Sequence, residues 1–111
     1  MNVVRRHPLV RADLRDAFHW YEDQRPGLGM DFASEFLLHF RALLRRPQLF
    51  SVRFANVRRL NFQRFPYALF FVAQSNEVWI LALLHASRDT QKVLARRRRR
   101  LRSSPQRPIQ G

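Results

Sequence analysis

At 111 residues the chain has room for one hydrophobic core and not for two. Its 46% hydrophobic and 13% aromatic content exclude a disordered chain. No apolar run approaches the ~20 residues of a membrane span, the opening MNVVRRHPLV lacks a signal-peptide core, and the absence of cysteine excludes a disulfide framework or thiolate metal site. The expected compartment is the cytoplasm. The net charge of +13 is unevenly carried: residues 1–95 hold 14 Lys/Arg against 8 Asp/Glu, and residues 96–111 hold 7 Arg and no acid. We therefore divide the chain into a folded domain over 1–95 and an Arg-rich, flexible tail over 96–111. A basic field of this kind favours nucleic acid, an acidic protein or an anionic surface.

In chain order, Asn2 to His7 is short, partly β-branched and reads as a first strand. Pro8 suits the first turn of a helix, where its missing N–H costs nothing. Val10, Leu14, Ala17, Phe18 and Tyr21 then fall on one helical face. The helix is expected to end near Asp23–Arg25, before Pro26. Pro26-Gly27-Leu28-Gly29 reads as a compact turn. Its two glycines do not make a phosphate loop, because no Lys-Ser/Thr follows and helices flank it. Phe32, Phe36, Leu37, Phe40, Leu43 and Leu44 mark a second amphipathic helix. Its acids, Asp31 and Glu35, lie early and its arginines, Arg41, Arg45 and Arg46, late, which complements the helix dipole.

Residues 48–56 read as a loop. Val57 to Gln63 reads as a strand with Leu60 and Phe62 inward. Tyr67 to Gln74 and Val78 to Leu84 are nearly continuous apolar runs, as expected of strands covered on both faces, with Ser75-Asn76-Glu77 as the hairpin turn between them. Thr90 to about Arg100 has the makings of a short helix capped by Asp89 or Thr90. Pro105 and Pro108 oppose order beyond Ser104. The order β-α-α-β-β-β, with a possible short C-terminal helix, defines an α+β domain: a small, mainly antiparallel sheet with an N-terminal helical hairpin packed on it.

The chemistry-bearing side chains gather at the ends of the core strands. Arg59 stands on the polar face of its strand, where a guanidinium can grip a phosphate with two hydrogen bonds or remain a plain surface residue. Strict alternation turns Arg58 toward the apolar side. Arg64 and Tyr67 bracket the Phe65-Pro66 corner. The Tyr67 hydroxyl can donate to a phosphate or simply close the edge of the core. His85 ends a core strand, where an imidazole can act as acid or base near neutral pH or cap the strand. Arg88 follows three residues on. The Arg96, Arg97 and Arg98 run adds phosphate-compatible charge. His7, His19 and His39 have no metal-site spacing, so no metal is expected. No paired carboxylates and no Ser/His/Asp order are evident. Trp20, Tyr21 and Trp79 read as packing residues.

Four pieces of the chain together resemble a known family. They are Asp13-Leu14 to Trp20-Tyr21-Glu22, Pro26-Gly27-Leu28-Gly29, Val57-Arg58-Arg59-Leu60 to Phe65-Pro66-Tyr67, and Leu84-His85-Ala86-Ser87-Arg88-Asp89. Their order and spacing, over about residues 2 to 95, resemble the RelE/ParE superfamily of toxins from bacterial type II toxin–antitoxin systems. The resemblance implies a plasmid-stabilisation type of growth inhibitor, neutralised by a cognate antitoxin, with no cofactor and no membrane partner. It leaves two targets. RelE-like members cleave messenger RNA on the ribosome; ParE-like members inhibit DNA gyrase.

An mRNA endoribonuclease needs proton transfer and charge at the scissile phosphate. The candidates for those roles are His85, Tyr67, Arg59 and Arg88. If the protein is not a nuclease, Arg59, Arg64, Arg88, Arg96, Arg97 and Arg98 remain as target- or phosphate-binding groups. The segment after Asp89 holds no Tyr, His, Asp or Glu, which favours the gyrase-directed reading. Outside the toxin class stand a non-toxic, basic nucleic-acid-binding module and an inert relative that only binds a regulator.

Overall fold

The structure, a computed structural model, describes residues 3–103, with side chains described through residue 99. In chain order it has β1 (Val3–Arg6), α1 (Val10–Gln24), α2 (Leu28–Arg45), a 3-10 turn (Pro47–Leu49), β2 (Val52–Phe54), β3 (Val57–Asn61), β4 (Tyr67–Gln74), β5 (Glu77–His85) and α3 (Thr90–Ser103). The strands form one sheet in the order β1-β5-β4-β3-β2. β1 runs parallel to β5 and the other pairs are antiparallel. The sheet is therefore mixed, with its parallel pair at one edge.

One element departs from the sequence expectation. Residues 48–56 are not a plain loop, because Val52–Phe54 pairs with β3. Three residues are too few to show an alternation; the strand exists because Ala55, at φ 52°, turns the chain tightly back onto β3. The expected C-terminal helix is present as α3, which runs from Thr90 through Ser103. The division at residue 95 thus falls inside a helix. Residues 104–111, with Pro105 and Pro108, lie outside the described residues.

The helical hairpin covers one face of the sheet and α3 packs on the other, which explains the unbroken apolar runs of β4 and β5. Phe32, Leu43, Leu69, Phe71, Ile80 and Leu83 belong to the hairpin-side core. Val57, Phe70, Val72, Leu81, Leu84 and Leu94 belong to the core beneath α3.

A β-bulge in β5 controls which residues reach which side. Phe70 pairs with Ala82 but Phe71 pairs with Ile80, so Leu81 is an extra residue. Leu81 and Ala82 both face α3, whereas Ile80 and Leu83 face the hairpin. The bulge reverses the alternation, and His85 consequently ends the strand on the hairpin side, against Tyr67.

The hairpin turn is fastened by Glu22, whose carboxylate accepts from the N–H groups of Gly27 (3.0 Å) and Gly29 (3.0 Å). Both serve the N-terminus of α2, where backbone N–H groups lack helical partners. Gly27 adopts φ 91°, and a Cβ on Gly29 would stand 2.8 Å from Phe18 O. The expected turn is thus present, although α2 already begins at Leu28 and includes Gly29.

β1 stops at Arg6, where the His7 N–H bonds to Ile80 O (2.8 Å). Beyond that point two backbone groups of β5 are satisfied by an ion pair instead of a strand. Arg97 from α3 donates to Leu81 O (3.0 Å), the carbonyl of the extra bulge residue. Asp13 from α1 accepts from the Leu83 N–H (3.0 Å). The two side chains also join each other with bonds of 2.6 and 3.1 Å, and each is only 9% exposed.

Removing one partner leaves a buried charge and an unsatisfied backbone group. Arg97→Ala is therefore expected to lower unfolding stability in urea by about 3–5 kcal/mol. Arg96→Ala, one residue away and exposed, should stay within about 0.5 kcal/mol. Equal effects of the two changes would remove this role from Arg97.

Candidate functional site

Tyr67 at the start of β4 stands opposite His85 at the end of β5. Their rings meet edge to face at 5.2 Å. Beneath them lies an aromatic cluster centred on the fully buried Phe32. Its ring centroid is 5.3 Å from Tyr21, 5.2 Å from Phe62, 5.1 Å from Phe65 and 5.0 Å from Tyr67. Packed aromatic rings of this kind set side-chain orientation as well as burying area. Trp20, expected to pack, is instead exposed beside this cluster, with its ring edge to face on Tyr21 at 5.1 Å.

His85 Nδ1 accepts from the Ser87 N–H (3.0 Å) and lies 2.8 Å from Ser87 Oγ. In a neutral ring the proton then belongs on Nε2. The Arg88 N–H in turn bonds to His85 O (3.1 Å), which folds the chain back so that Arg88 stands near Tyr67. Burial pushes the Tyr67 phenol above its ordinary value; the nearby Arg88 charge opposes this, and Asp13 and Asp16 reinforce it. At neutral pH Tyr67 is a hydrogen-bond donor and not a phenolate base.

Sequence reasoning noticed Glu35 only as an early acid of its helix. The structure makes it the anchor of the corner. Glu35 is buried on α2 and accepts from the backbone N–H groups of Gln63 (2.6 Å) and Arg64 (3.2 Å). His39 Nε2 lies 2.7 Å from its carboxylate. Burial alone raises the Glu35 carboxyl, but the bonds from Gln63, His39 and Arg64 outweigh it and hold it below the ordinary range. The local signal was the Glu35/His39 spacing of four; the long-range partners, 28 and 29 residues away, left none.

The sequence-predicted site residues converge only in part. Tyr67, His85 and Arg88 share the corner. Arg64 lies at the same turn but is exposed, with its guanidinium 3.4 Å from Asp31 and over the Phe65 ring. Arg59 is on the other face of the sheet, with its guanidinium 5.2 Å from the Phe70 ring centroid and bonded to Asn61 (2.7 Å). Arg58 does turn to the hairpin side, where it donates to Phe50 O (2.7 Å). On α3, Arg96 is exposed, Arg97 is held by Asp13, and Arg98 donates to Asn56 (2.8 Å). Among the described residues no group of three His, Cys, Asp or Glu could hold a metal, and no helix is long and apolar enough to cross a membrane.

A second concave region lies between β1, α1 and α2. Val4, Val10, Leu14, Phe36 and Phe40 line a groove of about 470 Å³, with Arg6 and Arg11 also contributing to its walls. Leu37 of α2 also lines it and, like the next residue Leu38, is exposed.

The three-layered arrangement defines a class of small α+β domains, in which a helical hairpin and a C-terminal helix enclose a mixed sheet. The solved chromosomal ParDE toxin–antitoxin system from P. aeruginosa contains a similar fold. The TM-score is 0.69 at 19% identity, over 78% of this chain and 98% of that one. No curated protein matches the chain. The family model of the ParE toxin of type II toxin–antitoxin systems (parDE) matches residues 4–90. The chain belongs to this family.

The Glu35 linkage has a defined sign. A carboxyl whose pKa is lowered on folding contributes stability that is present above its unfolded value, 4.5, and lost as pH falls through the folded value. The melting temperature should accordingly fall as pH drops below 4.5. Glu35→Gln should flatten this acid limb and, at neutral pH, cost about 1–3 kcal/mol. An unchanged acid limb in the variant would show that other carboxylates carry it.

Proposed function

We infer that this toxin arrests growth by acting on DNA gyrase, without cleaving RNA, and that a cognate antitoxin silences it in the cytoplasm. The supporting observation is that Arg59, one of the four residues on which cleavage would depend, lies across the sheet from Tyr67, His85 and Arg88. Attack by a 2′-hydroxyl requires a base, an acid and a cation around one phosphate. Tyr67 and His85 lie on the hairpin side of the sheet, and the Arg59 guanidinium lies over Phe70 on the α3 side. Tyr67 keeps its proton, and His85 Nδ1 is engaged by Ser87. A protein target requires no such constellation. Exposed Arg64 and Arg88 at the corner suit an acidic surface on that target.

The antitoxin reading is supported by the groove between β1, α1 and α2. Apolar walls with Arg6 and Arg11 beside them suit an amphipathic, acidic segment that folds as it binds. The P. aeruginosa structure of similar fold is that of a toxin–antitoxin system, and an antitoxin segment of this chemistry would cover this surface.

The test is a gyrase supercoiling assay run beside a translating-ribosome assay with mapped messenger ends. Inhibited supercoiling with intact messenger is the expected result. Codon-specific cuts that disappear in His85→Ala and Arg59→Ala would instead establish the endoribonuclease. Addition of the protein encoded beside the toxin gene should restore supercoiling.

A further inference from the structure

The layers of the molecule differ sharply in charge. Residues 10–45, the helical hairpin, contain five arginines and six carboxylates. Residues 90–103, which form α3, contain six arginines, one lysine and no acid. The positive field is therefore concentrated on the side of the sheet away from the hairpin. Arg59 adds to it from the sheet, over Phe70, whereas Arg5 is largely offset by Glu77 at 3.5 Å.

Within α3 the basic residues do different work. Arg97 is directed inward to Asp13 and Leu81, and Arg98 toward Asn56. Lys92, Arg96 and Arg99 are exposed. Their spacings of four and three residues align them along one face of the helix. We propose that this stripe binds the phosphate backbone of duplex nucleic acid, independently of sequence, as a second binding surface separate from the Tyr67/His85 corner.

The chemistry of the stripe selects a polyanion over an acidic protein. Protein interfaces draw their affinity from apolar and aromatic anchors. The apolar residues Val93 and Leu94 of α3 are packed against the sheet, and the exposed positions through residue 99 are Gln91, Lys92, Arg96 and Arg99. Guanidinium groups match phosphate oxygens with paired hydrogen bonds. From Lys92 to Arg99 the helix rises about 10 Å, close to the axial span of about three successive phosphates at ~3.4 Å each. The Arg97–Asp13 pair holds the helix so that this stripe stays outward.

The test uses the full chain, a labelled DNA duplex of arbitrary sequence and fluorescence anisotropy across about 50–200 mM salt. Replacing all three residues, Lys92→Gln with Arg96→Gln and Arg99→Gln, should weaken binding at least about tenfold at the low-salt end. It should also reduce the slope of log affinity against log salt by about 2–3. The same number of charges removed from the hairpin, Arg15→Gln with Arg25→Gln and Arg41→Gln, should change neither quantity appreciably. Wild-type binding by the first variant would overturn the proposal, as would equal losses in both. Displacement of the duplex by polyglutamate at equal charge concentration would also overturn it, in favour of an acidic protein partner. If the first variant loses its cooperative unfolding transition, the single change Arg96→Glu carries the same comparison. Because no gyrase or ribosome is present, the result is independent of the toxin's target.

Discussion

The arrangement of the whole molecule depends on one buried ion pair, Asp13 with Arg97, at the edge of β5 where β1 has ended. A strand edge inside a protein cannot be left with bare N–H and C=O groups. Here the two side chains replace the missing strand. The guanidinium takes the Leu81 carbonyl and the carboxylate takes the Leu83 N–H. Burying both charges is costly, and the cost is offset only because their hydrogen bonds to each other and to the backbone are made together. The pair also joins the two outer layers, since Asp13 comes from α1 and Arg97 from α3.

The consequences reach both the Tyr67/His85 corner and the outer face of α3. At the corner, the Asp13 charge helps keep the Tyr67 phenol protonated. On α3, the inward commitment of Arg97 sets the helix rotation and so determines which of the consecutive arginines reach solvent. The bulge at Leu81 belongs to the same construction. It presents the carbonyl that Arg97 takes, and it reverses the strand alternation so that His85 meets Tyr67. A second buried carboxylate, Glu35, performs the corresponding task at the other end of the hairpin by holding the Gln63–Arg64 turn. Asp13 and Glu35 both tie the hairpin to the sheet through backbone N–H groups, and both side chains are buried.

Much of the fold was legible along the chain because its signals are local. The spacing of Val10, Leu14, Ala17 and Tyr21 marks α1, and the Pro26-Gly27 step marks its end. The apolar runs of β4 and β5 announce strands covered on both sides. The corner was legible for a similar reason: Phe65-Pro66-Tyr67 and His85-Ala86-Ser87-Arg88 each border a recognisable strand, and adjacent antiparallel strands bring those ends together. β2 left no such trace because three residues carry no period. Arg97 was illegible for a different reason: within an unbroken arginine run, nothing local distinguishes an inward residue from its neighbours.

The sequence alone thus determined the element types, the α+β class, the family and the excess of positive charge, all of which follow from periodicity, composition and short motifs. Only the tertiary structure decided where that charge lies. It separated Arg59 from Tyr67 and His85 by a sheet, buried Arg97 against Asp13 and left Lys92, Arg96 and Arg99 outward. The physical reason is that pairing, bulges and buried charge depend on partners far away in the chain. Asp13 and Arg97 are 84 residues apart, and neither position signals the other until the sheet brings them together.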